Sequence, residues 1–245
     1  MQNQPVASQI DTEQNRLVLA SASPRRRELL ALLGYPFRIV TTDAEEDEHL
    51  PPEPVRRDLP FCPVSLHDHP TLRAWRKAGA VLPQVEAELV LGADTIVVLN
   101  DQVLNKPRDA ADARAMLYRL AGHEHQVYTG LCLAQRNGQG EPAFLLDLVS
   151  SRVEIAVLDA AQIADYVATG EPLDKAGAYG IQGLGGRLVR QVIGSYTAVV
   201  GLPLPATRQL LARAGIANLR DPTAAYREWL ESQGKEPLPW PPTLP

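Results

Sequence analysis

The chain is poor in cysteine. Cys62 and Cys132 are its only two among 245 residues, they lie far apart, and they form no metal-ligand spacing. Neither a disulfide framework nor a structural zinc site is implied. Long apolar runs are missing as well: no stretch approaches the roughly 20 residues that a membrane-spanning helix needs. The first 15 residues are polar and lack the apolar core of a secretory leader. Positive charge is not in excess, since 24 Lys and Arg face 29 Asp and Glu for a net charge of -5. That balance argues against a general nucleic-acid coat, so any basic site must be local. No internal repeat is visible. These absences lead to the expectation of a soluble, cytoplasmic protein without nucleic-acid or membrane partners. With 45% hydrophobic and 22% charged residues, the chain can bury one large core or two small ones.

What is present is concentrated first in residues 16–30, RLVLASASPRRRELL. Leu17 to Ala20 read as a short buried strand, which gives way to a small-residue turn and a helix. Ser23 suits the N-cap and Pro24 the first helical position, because neither site needs a backbone N–H donated within the helix. Ser21, Ser23, Arg25 and Arg26 thus surround a helix N-terminus with free N–H groups. The helix dipole and forked arginine donors act there on the same anion, which points to phosphate. Arginine has the wrong charge for a first helical turn, which weighs against an ordinary capped helix with a solvated basic end.

The pattern further along alternates strands and helices, predicting an α/β fold with a mixed sheet. Residues 1–15 read as a flexible arm. A strand is expected at Phe37 to Val40, and residues 41–70 as a long proline-studded surface excursion, acidic at first. A helix is expected around 71–81, and the strongest strand of the chain at 88–99. A helix at 110–120, strands at 126–135 and 147–157, and helices at 160–169, 206–214 and 223–232 follow. The last residues, 237–245, are rich in proline and read as a mobile tail.

Asp94 stands inside the strongest strand, flanked by Gly92, Ala93 and Thr95. A carboxylate there is costly unless it pairs with a cation, binds a metal or emerges at the strand end. Either a structural Arg or Lys satisfies it, or it shares a site with the basic turn. Lys106, before Pro107, has no meaning alone but suits a compact charge clamp beside phosphate. The segment 174–183, DKAGAYGIQG, permits close backbone approach to a ligand, and Gln182 offers donor and acceptor to a nucleobase edge. It fits neither the Walker nor the dinucleotide pattern. The pairs His67/His69 and His123/His125 lack a third ligand at a metal spacing and read as hydrogen-bonded or solvated histidines. The run Glu45–Glu48 reads as a solvated acidic stretch, one member of which suits a hard cation shared with Asp94.

SASPRR at 21–26, GADT at 92–95, KP at 106–107, DKAGAYGIQG at 174–183 and GSYTAVVGLP at 194–203 together resemble the Maf nucleotide pyrophosphatases, and most closely the branch acting on dTTP and UTP. The resemblance covers residues 16–216 and leaves 1–15 and 217–245 outside it, the latter a C-terminal helix and proline-rich tail. It implies an inosine-triphosphatase-like α/β fold with a cleft between two lobes, a homodimer, a nucleoside triphosphate substrate and a divalent cation, magnesium or manganese. It makes Asp94 the proton acceptor, and Arg26, Thr95 and Gln182 the residues that select the base. Glu46 and Lys77 match further site positions, with Glu46 and Asp94 as metal ligands. The excursion at 47–70 is longer and richer in proline than the family's connection. Two other readings stand beside the main one: a 7-methyl-GTP pyrophosphatase, and a nucleotide-binding regulator of septum formation.

Overall fold

A computed structural model describes residues 16–44, 49–85 and 89–232. Seven strands form one mixed sheet: β1 (Leu17–Ala20), β2 (Arg38–Val40), β3 (Leu89–Leu99), β4 (Gln102–Leu104), β5 (Glu124–Arg136), β6 (Pro142–Ile155) and β7 (Val189–Gly194). Their order is β2-β1-β3-β5-β6-β7, with β4 also paired to β3. Strand β1 runs parallel to β2 and β3, and the remaining pairs are antiparallel. The expected α/β class with a mixed sheet is found. The helices are α1 (Pro24–Ala31), α2 (Glu53–Arg57), α3 (Pro70–Val81), α4 (Ala110–Leu120), α5 (Ala160–Ala168), α6 (Tyr196–Val200), α7 (Leu204–Arg213) and α8 (Pro222–Ser232).

Both faces of the sheet are covered. Leu17, Leu19, Leu91 and Ala93 point into the larger core with residues of α1, α4, α5 and α7, while Val18, Ala20 and Val90 pack against Ala74, Ala78 and Val81 of α3. This explains why β1 is apolar at every position rather than alternating. Helix α3 lies on the sheet at two glycines: a Cβ on Gly92 would stand 2.1 Å from the Ala74 carbonyl oxygen, and one on Gly130 2.1 Å from the Thr71 nitrogen. Backbone therefore meets backbone there, which fixes the height of α3 above β3 and β5.

Strand β3 is the axis of the site. On one edge it pairs with β5 over residues 89–98. On the other edge β1 covers residues 89–92 and β4 covers 97–99, so residues 93–96 lie between the two partners. Asp94 and Thr95 are the two half-buried positions in an otherwise buried strand. The gap opens at the carboxyl end of β1, the place where open α/β sheets form ligand crevices. The turn from β3 to β4 is tight, with Asn100 and Asp101 both at positive φ, as a two-residue hairpin requires.

Two expectations change. The excursion is not all surface: it contains α2, and Val55, Cys62 and His69 are buried, Cys62 against Ile96 and Val98 of β3. Its many prolines mark chain direction but do not reveal these anchors. Strand β6 begins at Pro142 rather than near 147, because its ladder with β5 is continuous from Arg136 and Pro142 onward. Proline is tolerated as a first strand residue. The proline-rich tail, the N-terminal arm and Glu46 fall outside the described residues, whereas α8 returns to the body, setting the Tyr226 ring tilted against Tyr196 with centroids 5.7 Å apart.

Candidate active site

Helix α1 starts as its sequence dictates. The Ser23 hydroxyl accepts from the Arg26 backbone N–H, Pro24 occupies the first turn, and no acidic residue precedes the arginines. The Ser21 hydroxyl oxygen accepts from the Ser23 backbone N–H and from Arg26 Nη1. Arg26 reaches back across the site, where Nε donates to the Gly201 carbonyl at 2.9 Å and Nη2 to Thr95 Oγ1 at 3.2 Å. Arg26 therefore ties α1, β3 and the end of α6 together. Arg25 takes a different direction, 3.8 Å from Asp174 across the cleft.

From the other face, α3 supplies cations one turn apart. Lys77 Nζ donates to Asp94 Oδ1 at 2.8 Å, and Arg73 Nη1 stands 3.9 Å from Asp94 Oδ2. Arg73 also donates to the His67 carbonyl and to Asp68, so it links the excursion to Asp94. The spacing of Arg73 and Lys77 places both on one helix face. That spacing was the signal for Arg73, which sequence reasoning passed over. Of the two routes open to Asp94, cation pairing is thus present in the structure, and it lies inside the cleft rather than apart from it.

The cleft has a volume of about 700 Å3 and gathers Ser21, Ser23, Arg25, Arg26, Lys77, Asp94, Thr95, Lys106 and Gln182 along its walls. These come from the β1–α1 turn, α3, β3, the segment after β4 and the glycine-rich segment. Lys106 is exposed and Gln182 half-buried. Glu46 is the one expected site residue outside the described residues. The histidines behave as expected: His69 Nε2 bonds the Pro60 carbonyl, His123 Nδ1 the Ala121 carbonyl, and His125 Nε2 the Tyr179 hydroxyl.

Glu171 organises the loop that carries Gln182. Its carboxylate accepts from the backbone N–H groups of Leu184 and Gly185 and from the Tyr166 hydroxyl, which in turn accepts from the Gly180 N–H. Burial alone would raise this carboxyl, but the Gly185 and Leu184 N–H groups, Tyr166 and the Lys175 charge together hold it below its ordinary value. Burial pushes the Tyr166 hydroxyl up. An acid just before a glycine cluster was the available sequence signal, though its backbone partners are visible only in the fold.

No group of three His, Cys, Asp or Glu among the described residues forms a metal cage. The carboxylates of Asp43 and Asp94 nevertheless both line the cleft. One or two carboxylates, completed by water and substrate phosphate, is the donor set that magnesium uses with nucleotides. These two carboxylates fit that donor set.

A family model described as Maf-like protein matches residues 16–214. The chain belongs to the Maf family. A dTTP/UTP pyrophosphatase of Anaeromyxobacter sp. (strain Fw109-5) is 51% identical to this Maf chain over 200 residues, 82% of this chain and 90% of that protein. A dTTP/UTP pyrophosphatase of Yersinia pestis bv. Antiqua (strain Antiqua) is 50% identical over 197 residues, 80% and 91% of the two chains. One of Escherichia coli O157:H7 is 50% identical over 198 residues, again 80% and 91%. Among solved structures, a HAM1 protein from Coxiella burnetii aligns over 81% of this chain and 98% of its own, at 14% identity and a TM-score of 0.38.

Proposed function

We propose that this Maf protein hydrolyses dTTP and UTP to the nucleoside monophosphate and pyrophosphate. Relatives bearing that activity in their names match it at 50% identity or more over at least 80% of its length. The observation in the structure that carries the reading is a single cleft with Asp94 bordered by Lys77 and Arg73, facing the α1 N-terminus and the Gln182 loop.

In this reading Asp94 orients a water molecule and takes its proton as the oxygen attacks the α-phosphorus. The bond to the bridging oxygen breaks opposite, and pyrophosphate leaves. Charge on the phosphoryl oxygens rises along this path, so fixed cations and N–H dipoles lower the barrier. The N-terminus of α1, Ser21, Ser23, Arg25 and Lys106 hold the phosphate chain. Arg26, Thr95 and Gln182 read the base. A magnesium or manganese ion, held by Asp94, Asp43 or Glu46 together with substrate oxygens, would neutralise phosphate charge when bound. The working form is a cytoplasmic homodimer.

The test is a panel of nucleoside triphosphates with magnesium or manganese, scored for monophosphate and pyrophosphate. Turnover of dTTP and UTP with both products supports the reading. Release of single phosphates, or a preference for purine nucleotides, overturns it.

A further inference from the structure

Thr129 of β5 sits directly across the ladder from Thr95 of β3 and is fully buried. Its Oγ1 donates to the Ala198 carbonyl at 2.7 Å and lies 2.9 Å from Thr95 Oγ1. A carbonyl oxygen only accepts, so the single Thr129 proton is committed to Ala198. The bond between the two threonines must then use the proton of Thr95. Arg26 Nη2, 3.2 Å from Thr95 Oγ1, is a donor that cannot accept, so it takes up a lone pair of the same oxygen. The hydrogen bonds run one way, from Arg26 to Thr95 to Thr129 to the Ala198 carbonyl. A hydroxyl ordinarily gives and receives. Thr95, which lines the cleft, has no proton left to give and one lone pair still to offer.

We propose that Thr129 is a specificity-positioning residue: by taking the proton of Thr95 it turns Thr95 into an obligate acceptor toward the base. This rests on the dTTP/UTP reading above. Thymine and uracil carry a donor at N3–H, which an acceptor-only oxygen satisfies. Cytosine presents a lone pair at N3, which faces another lone pair. Gln182 alone does not enforce this choice, because an amide turned over presents its donor instead of its acceptor. A group of fixed polarity is needed, and the hydrogen-bond chain supplies one. Thr129 itself is not among the residues lining the cleft, so it acts only through Thr95.

The experiment compares Thr129→Val, which keeps shape and removes the hydroxyl, with Thr129→Ser, which keeps it. kcat/KM is measured for dTTP, UTP and CTP on the full chain. In the valine variant Thr95 regains a proton to donate, so the ratio of dTTP to CTP efficiency is expected to fall by about tenfold or more. The serine variant is expected to retain the wild-type ratio. A merely structural role would lower all three substrates in parallel, and an unchanged ratio in the valine variant overturns the proposal. Neutron diffraction on the wild-type protein provides a second route that needs no variant: the Thr95 hydroxyl proton is expected to point at Thr129, and one pointing into the cleft overturns the proposal. If the wild-type protein shows no preference for dTTP and UTP over CTP, the functional reading fails, while the proton position still reports on the hydrogen-bond chain itself.

Discussion

Lys77 and Asp94 form an ion pair at 2.8 Å with side chains only 6% and 13% exposed, one from a helix and one from the strand beneath it. Two charges so little exposed are held largely by each other. Removing the lysine leaves the carboxylate largely desolvated beside the weaker, 3.9 Å contact with Arg73. Breaking a buried pair in this way typically costs about 3–5 kcal/mol. Lys77→Met is therefore expected to lower unfolding stability by that order, measured by urea denaturation. The double variant Lys77→Met, Asp94→Leu is expected to recover part of the loss. Full additivity of the two changes would show that the pair is not coupled.

Asp94→Asn tests chemistry rather than stability. The asparagine oxygen still accepts from Lys77, so the fold is expected to persist with a cooperative melt. Loss of a general base removes roughly 10²–10⁴-fold in rate, and kcat on dTTP is expected to fall by at least that. Near-normal turnover by the folded variant would remove Asp94 from the mechanism.

Much of this arrangement was legible before the fold was known. The α1 start was readable because capping is local: Ser23, Pro24 and the arginines satisfy each other within a few residues. Asp94 was readable because a charged residue in an apolar strand is costly in any fold. What joins them was not readable. The gap between β1 and β4 depends on where two separate ladders stop along β3, a long-range property with no local signature. The same holds for Thr129, which becomes the partner of Thr95 only through the β3–β5 register. The buried anchors of the excursion were hidden by its prolines, which signal breaks in regular structure but not burial.

Gly130 is one of the two glycines at which α3 rests on the sheet. A Cβ there would lie 2.1 Å from the Thr71 nitrogen and 2.4 Å from the Pro70 carbonyl carbon, both backbone atoms that no rotamer change moves aside. Overpacking of this kind costs about 1–3 kcal/mol or more. Gly130→Ala is expected to lower Tm and also kcat, because α3 carries both Lys77 and Arg73. A variant with wild-type Tm and activity would mean that α3 rides freely over the sheet.

His125 sets an acid limit on stability. Burial lowers its pKa from 6.5 to about 4, and its Nδ1 has no hydrogen-bond partner among the described residues. The unfolded chain therefore takes up a proton before the folded one does. The stabilisation is fully present above the unfolded value and is lost as pH falls from 6.5 toward about 4. The total at stake is on the order of 3 kcal/mol. His69 adds in the same direction, its pKa lowered by burial against the opposing bond to the Pro60 carbonyl. Urea midpoints are expected to drop between about pH 7 and about pH 5, and His125→Asn to flatten that slope. An equal slope in the variant would assign the acid sensitivity to other groups.

Gln182 and Glu171 occupy the same loop region but should fail differently. Glu171 accepts from two backbone N–H groups and the Tyr166 hydroxyl, so Glu171→Gln replaces part of that acceptor with a donor facing donors. The loop loosens as a whole, and KM is expected to rise for dTTP, UTP and CTP together with their ratios retained. Gln182 presents an amide at the cleft wall that can donate to the O4 shared by thymine and uracil, beside the Thr95 oxygen that accepts from N3–H. Gln182→Leu leaves O4 without that partner, at about 1–3 kcal/mol for a buried group left unpaired. Cytosine, held off at N3 by the fixed Thr95 acceptor, engages the amide less and so loses less, and the preference for dTTP over CTP is expected to narrow. Parallel losses in both variants would make Gln182 a brace of its loop and move the base readout to Thr95 and Arg26 alone.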